Sequence, residues 1–263
     1  MISRIMRMLT QQQADHYHEQ GYVIIDKLID ADKIAGLAER LRLAALGKLD
    51  PGVTIGRERG LADETTAGED PLLRVRKVSN LARHDEFFRE LVASDQLVSI
   101  GRDLLGDEIR YLGDEAQLKP ARYGSPHPWH QDEPYFKEMA IPIATIWISV
   151  DHATQANGCM QVIPRSHLSG IVERKDEQRF WLNDDEVDTS AAVHAELEAG
   201  GALIFHSRLL HGSGPNQTDH CRRSMICRYG DISTLSEHQK SIFDQYGVVL
   251  DGPAMHEIFR PVA

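Results

Sequence analysis

Between Gly106 and Tyr229 the chain breaks into short apolar, β-branched runs separated by turn residues at fairly even intervals. The runs fall near 109–120, 128–136, 143–151, 158–164, 193–198, 202–207, 209–213 and 222–229. Eight strands at this spacing predict a jelly roll, two packed sheets that cover one another's edges and leave a cavity between them. The expected architecture is mainly β with flanking helices, cupin-like and buttressed from its N-terminal side.

The N-terminal part supplies those helices. Thr10-Gln11-Gln12-Gln13 has capping-box form, so a helix is expected to run to about 18–21 and stop at Gly21. Residues 22–29 are rich in β-branched side chains and read as a strand. Asp30 can cap a second helix, with Ile34, Leu37, Leu41 and Ala45 at core spacing. A further helical pattern through Phe87, Leu91, Leu97, Ile100 and Leu104 ends at Gly106. Two stretches lack periodicity: 47–70, either an exposed loop or a lid, and 166–192, either a solvated insertion or a second lid. Residues 72–78 could form a strand carrying Arg74 and Arg76 on one face. We read one domain over 1–263, with a helical buttress and lid segment at 1–107, a jelly-roll core at 108–230 and a tail at 231–263, helical near 237–246.

A length of 263 residues with 41% apolar and 26% charged residues fits a soluble globular chain able to bury a large core. The net charge of −11 argues against nucleic acid and anionic membrane as partners. Cys159, Cys221 and Cys227 form no metal or redox motif and fit a reducing compartment. No signal sequence or membrane span can be drawn from the N-terminal residues, so the expected location is cytoplasmic.

Chemistry concentrates in His127-Pro128-Trp129-His130-Gln131-Asp132-Glu133-Pro134-Tyr135-Phe136. On an extended strand His130 and Asp132 would face the same way and could offer a nitrogen and an oxygen to one metal ion. Such a pair alone proves little, because His84 with Glu86 and His194 with Glu196 repeat the spacing. A third ligand is best sought in Leu209-Leu210-His211-Gly212-Ser213-Gly214-Pro215-Asn216, where His211 meets a glycine-rich turn. His206, an odd number of residues earlier, would face the other side and reads as structural. Two histidines and one carboxylate form the facial triad of non-haem Fe(II) oxygenases, which leads zinc on ligand type. Arg222 lies eleven positions after His211, placed to return on an adjacent strand. A guanidinium buried beside a metal calls for an anionic co-substrate, because an unpaired buried charge is costly.

Glu19-Gln20-Gly21-Tyr22-Val23, the Trp-His-Gln-Asp block, Asn157-Gly158-Cys159-Met160 with Pro164-Arg165-Ser166-His167, and the run from His211 to Arg222 together cover most of the chain. On these residues it resembles the phytanoyl-CoA dioxygenase family of Fe(II)/2-oxoglutarate-dependent oxygenases. The resemblance implies a double-stranded β-helix in which His130, Asp132 and His211 bind iron and Arg222 holds the distal carboxylate of 2-oxoglutarate. It also implies co-substrate contacts for Ser213, Trp147 and Gln117, with Lys119 sharing the strand face of Gln117. The implied reaction uses O2, releases succinate and CO2, and oxidises a substrate C–H bond. The retained Asp132 favours hydroxylation over the halogenation of relatives that lack this carboxylate.

The acidic balance offers no cluster for the phosphates of CoA, so the expected substrate is a small metabolite rather than an acyl-CoA. Its anionic group could meet Arg74, Arg76 or Arg174, and Tyr135, Phe136 and Trp181 are candidate walls. Two rival readings stand beside this one: a cupin-type metalloenzyme that uses no 2-oxoglutarate, and a non-catalytic jelly-roll binding protein.

Overall fold

Thr10 closes the first helix as its sequence predicts. Its hydroxyl accepts from the Gln13 N–H, the Gln13 side chain takes the Thr10 N–H, and Gly21 ends α1 (Gln11–Gln20) in the left-handed region. The computed structural model describes residues 7–58, 71–136, 141–173 and 181–240. Strand β1 (Tyr22–Ile25) is shorter than expected, because the Leu28 and Ile29 amides turn aside to the Gly200 carbonyl. Asp30 caps α2 (Ala31–Ala45), and Ile34, Leu37, Leu41 and Ala45 are buried.

The helical pattern after residue 80 divides into α3 (Leu81–His84), α4 (Glu86–Val92) and α5 (Asp95–Leu105). Asp85 starts the second of these by accepting from the Phe87 N–H, and Ser94 opens the third. The segment 47–70 is not all loop: β2 (Thr54–Arg57) forms within it and pairs with β3 (Val75–Ser79). Only half-buried at the sheet edge, β2 carries no strong alternation; residues 59–70 of this candidate lid lie outside the described residues. Arg74 sits in a 3-10 turn (Pro71–Arg74) ahead of β3, so it does not share a strand with Arg76.

All eight strands expected after Gly106 form: β4 (Ile109–Lys119), β5 (His127–His130), β6 (Ile143–Ser149), β7 (Met160–Val162), β8 (Val193–Ala195), β9 (Ala202–His206), β10 (His211–Ser213) and β11 (Arg222–Asp231). They divide between a sheet ordered β1-β9-β6-β11-β4-β3-β2 and a smaller one ordered β5-β10-β7-β8, with antiparallel pairing throughout. This is the double-stranded β-helix, extended on the large sheet by three N-terminal strands.

Period-two alternation sorts the large sheet into two faces. Ala144, Ile146, Ile148, Ala202, Ile204, Met225, Cys227 and Tyr229 join one apolar cluster with the helices. Trp147, Leu203, Phe205 and Ile226 point the other way, into a second cluster with Met160 and Val162 of the small sheet. Between the sheets the inward face turns polar, with Thr145, Ser149, Arg222, Ser224 and Arg228. No helix among the described residues is long and apolar enough to cross a membrane. The expected tail helix is described only to residue 240.

Candidate active site

His130 and His211 are direct partners across the antiparallel β5 and β10, so their side chains stand on one face. Their ring centroids are 4.1 Å apart. Asp132 joins them by a different route from the expected one. Strand β5 ends at His130, and the chain bends before a 3-10 turn (Glu133–Phe136) that contains Pro134. Gln131 fixes that bend: its Nε2 donates to the carbonyls of Gly170 and Arg208 at 2.9 and 2.6 Å, and its Oε1 accepts from the Val172 N–H at 2.9 Å. Asp132 Oδ1 then lies 3.8 Å from Nε2 of both His130 and His211.

These three residues can hold a metal ion. One ligand atom from each lies within 4.8 Å of the others, and all three side chains are buried. Nδ1 of His130 and of His211 each sits 2.9 Å from a carbonyl, that of Pro128 and that of Leu209 respectively. A carbonyl only accepts, so Nδ1 carries the proton and the Nε2 lone pair is left for the metal. Burial pushes His130 below its ordinary pKa and takes His211 down to about 3, so both rings are neutral at physiological pH. Burial alone would raise Asp132, but Arg228, the two histidines and the Thr145 hydroxyl hold it well below the usual carboxylate range.

The unfolded chain binds protons at these imidazoles from about pH 6.5 downward, whereas in the folded metal-free protein His211 does not until about pH 3 and His130 also titrates below its ordinary value. The protein's stability is therefore expected to fall with acidification across that window, by up to ~1.4 kcal/mol per pH unit for each ring. Acid-induced unfolding followed by circular dichroism, with and without divalent metal, measures this; a metal-free transition lying entirely below pH 3 would contradict it.

Arg222 enters β11 fully buried, on the same inward face as Ser224 and Ile226. Its Nη1 donates to Ser224 Oγ at 3.1 Å and its Nη2 to the Gly158 carbonyl at 3.0 Å. The guanidinium carbon lies 5.3 Å from the Trp147 ring centroid. Its Nε has no partner, and no carboxylate among the described residues pairs with it. Ser213 Oγ and Trp147 Nε1 are also buried without a partner. Three unsatisfied donor groups on inward faces fit a polar, anionic guest such as 2-oxoglutarate.

Gly158 carries the Arg222 carbonyl partner at φ +79, where an added Cβ would stand 2.4 Å from the Gly214 carbonyl oxygen. Gly158→Ala is expected to cost about 1–3 kcal/mol and to weaken 2-oxoglutarate binding by displacing this contact. Thermal melts together with co-substrate titration test both effects.

A cavity of about 260 Å³ opens beside the triad, lined by Gln117, Trp147, Arg228, Glu115, Lys77 and Tyr135 among others. Gln117 is on its wall, whereas Lys119 is spent on structure, its Nζ donating to the carbonyls of Ser125 and Gly214, both at 2.7 Å. Burial, with Arg222 and Arg76 nearby, pushes Lys119 down to about 6. Arg76 lines an adjoining small pocket and is paired with Glu58 at 3.1 Å, so it is not the free anion receptor considered from sequence. Arg174 and Phe180 lie outside the described residues. Tyr135 and Phe136 line the cavity, and Trp181 bridges His130 through its backbone.

Sequence reasoning gave no role to three site neighbours. His127 stacks on His130 with centroids 4.4 Å apart, although their odd spacing should separate them. A shift in the β5–β10 register between His211 and Ser213 accommodates both. Arg228 and Thr145 contact Asp132; Arg228 was legible as the inward position six residues after Arg222.

The model of the family Phytanoyl-CoA dioxygenase (PhyH) matches residues 17–224. The chain belongs to the phytanoyl-CoA dioxygenase family. As a member, it is a non-haem iron and 2-oxoglutarate-dependent oxygenase, and the two rival readings fall away. It is 30% identical over 236 residues to the peroxisomal phytanoyl-CoA dioxygenase of Mus musculus, covering 85% of this chain and 69% of that one. It is 27% identical over 232 residues to a probable alpha-ketoglutarate-dependent hypophosphite dioxygenase of Stutzerimonas stutzeri, covering 84% and 78%. Among solved structures, EctD from S. alaskensis with 2-oxoglutarate and 5-hydroxyectoine superposes with a TM-score of 0.66 at 21% identity, covering 86% of this chain and 78% of that one, a likeness of fold.

Proposed function

We propose that this family member oxidises a C–H bond of a small metabolite, by hydroxylation in the simplest case. In this reading residues 1–263 act as one catalytic domain, with His130, Asp132 and His211 holding iron. When bound, iron and 2-oxoglutarate supply the O2-activating chemistry, with succinate and CO2 as co-products. The protein's share is to present two neutral imidazole nitrogens and one carboxylate oxygen, to orient the co-substrate and to keep water out. Arg222 receives the distal carboxylate of 2-oxoglutarate through its planar donor fork, and the Ser213 hydroxyl donates to the same group. Trp147 and Gln117 wall the co-substrate.

The observation that carries this reading is the Arg222 guanidinium, fully buried with only neutral partners. Such a charge is costly until an anion joins it.

A small substrate fits the cavity better than a CoA thioester. Among the described residues the cations around it are already engaged: Lys77 and Arg228 with Glu115, Arg76 with Glu58, and Arg208 with Glu133. CoA phosphates would need free arginines or lysines. The three cysteines are free, which supports a cytoplasmic location that cell fractionation tests. The functional test is a screen of metabolites for substrate-dependent succinate release by the iron-loaded protein. An acyl-CoA as the sole productive substrate would overturn the small-metabolite reading, and failure of 2-oxoglutarate to bind would overturn the site assignment.

A further inference from the structure

Asp132 presents its two oxygens to different neighbours. Oδ1 faces the imidazoles of His130 and His211, whereas Oδ2 accepts from Thr145 Oγ1 at 2.8 Å and from Arg228 Nε at 3.2 Å. Arg228 is held from its far side as well. Its Nη2 donates to Glu115 Oε1 at 3.4 Å, Gln117 Nε2 donates to the same oxygen at 3.2 Å, and Lys77 pairs with Oε2. Asp132, Arg228, Glu115 and Lys77 thus form a row of alternating charge anchored on β11, β4 and β3. Thr145 reaches the same carboxylate from β6, where it is the register partner of Arg228.

We propose that Arg228 and Thr145 are positioning residues that keep Asp132 a one-oxygen ligand. The inference rests on the reading of His130, Asp132 and His211 as the iron ligands. A carboxylate can otherwise bind a metal through both oxygens. In a six-coordinate site two imidazoles and one carboxylate oxygen leave three positions, and a chelating carboxylate leaves two. 2-Oxoglutarate would fill two through its keto and carboxylate oxygens, so only the one-oxygen arrangement keeps a place for O2. Arginine suits the task because its fixed fork spans two carboxylates at once, which the point charge of lysine cannot do. Saturating Oδ2 with two donors takes away the lone pairs that would turn toward the metal.

The test uses Mn(II) as the probe metal, with exchangeable metal-bound water counted by water-proton relaxation before 2-oxoglutarate is added. The wild-type protein is expected to keep about three waters on the ion. Arg228→Gln is expected to keep about two, and its Mn(II)-loaded form to bind 2-oxoglutarate roughly tenfold or more weakly. Thr145→Val removes the other donor at nearly constant shape and is expected to shift both readouts the same way. Arg228→Lys serves if the glutamine variant fails to fold, and is expected to show the same loss of water. A water count equal to wild type in the folded variants overturns the inference, whatever happens to turnover or melting temperature. If the wild-type protein itself binds neither Mn(II) nor 2-oxoglutarate, the parent reading fails and takes this one with it.

Discussion

Arg222→Leu is expected to raise the Kd of the iron-loaded protein for 2-oxoglutarate by about two to three orders of magnitude, while leaving the co-substrate-free protein at least as stable as wild type. Removing one partner of a buried, hydrogen-bonded charge pair costs about 2–5 kcal/mol, and each ~1.4 kcal/mol is tenfold in affinity. The stability half of the expectation follows from what surrounds the guanidinium. Its partners are a serine hydroxyl, one carbonyl and the Trp147 face, all neutral. Burial pushes its pKa from 12.5 down to about 10, so the charged form is disfavoured in the folded state by up to roughly 3 kcal/mol. The sign is consistent: the unfolded chain holds this proton more tightly, so the group opposes folding at neutral pH. An apolar side chain at this position removes that cost. Calorimetric titration gives the affinity and thermal unfolding without ligand gives the stability. A leucine variant that binds 2-oxoglutarate like wild type, or that is several kcal/mol less stable, would show that the guanidinium serves the fold rather than the co-substrate.

That contrast explains what the sequence could reveal. Strand positions were legible because one face of each core strand packs on helices and the other on the opposite sheet, which leaves long apolar runs such as β6 bounded by turn residues. Arg222 stood out for a different reason: eleven residues and a glycine-rich turn after His211 let the chain reverse and bring a charge back beside the proposed metal site. Parity failed where the backbone departs from a regular ladder. His127 and His130 both reach the cavity because the β5–β10 register shifts, and Asp132 lies beyond the end of β5. The Gln131 side chain sets that bend through contacts some 40 and 77 residues away, which no local pattern reports. The divided helix after residue 80 was hidden for a related reason: apolar spacing continues within each piece, and only the caps at Asp85 and Ser94 mark the breaks.

Asp132→Ala is expected to abolish 2-oxoglutarate-dependent succinate formation and to lower iron affinity by more than about a hundredfold, since even a change to a ligand's supporting partner typically costs 10–100-fold. The carboxylate is the one anionic group in the triad and the only oxygen donor, so the two neutral imidazoles left behind would not hold an Fe(II) ion firmly. The alanine variant also leaves Arg228 with Glu115 as its sole carboxylate partner, and breaking a buried ion pair costs about 3–5 kcal/mol when nothing replaces it. Lost activity could then reflect a weakened fold. Asp132→Asn separates the two effects. Its amide oxygen still accepts from Thr145 and Arg228, so the metal-free melting temperature should fall less than in the alanine variant, yet the ligand charge is gone. Adding divalent metal at about a hundred times the wild-type Kd should stabilise the wild-type protein by about 2.7 kcal/mol and the asparagine variant hardly at all. Arg222→Leu should retain the metal-induced rise in melting temperature and lose only the further rise caused by 2-oxoglutarate. Succinate formation at wild-type rate by either Asp132 variant would remove the metal site from this cavity, and with it the reason for a buried arginine to await a dicarboxylate.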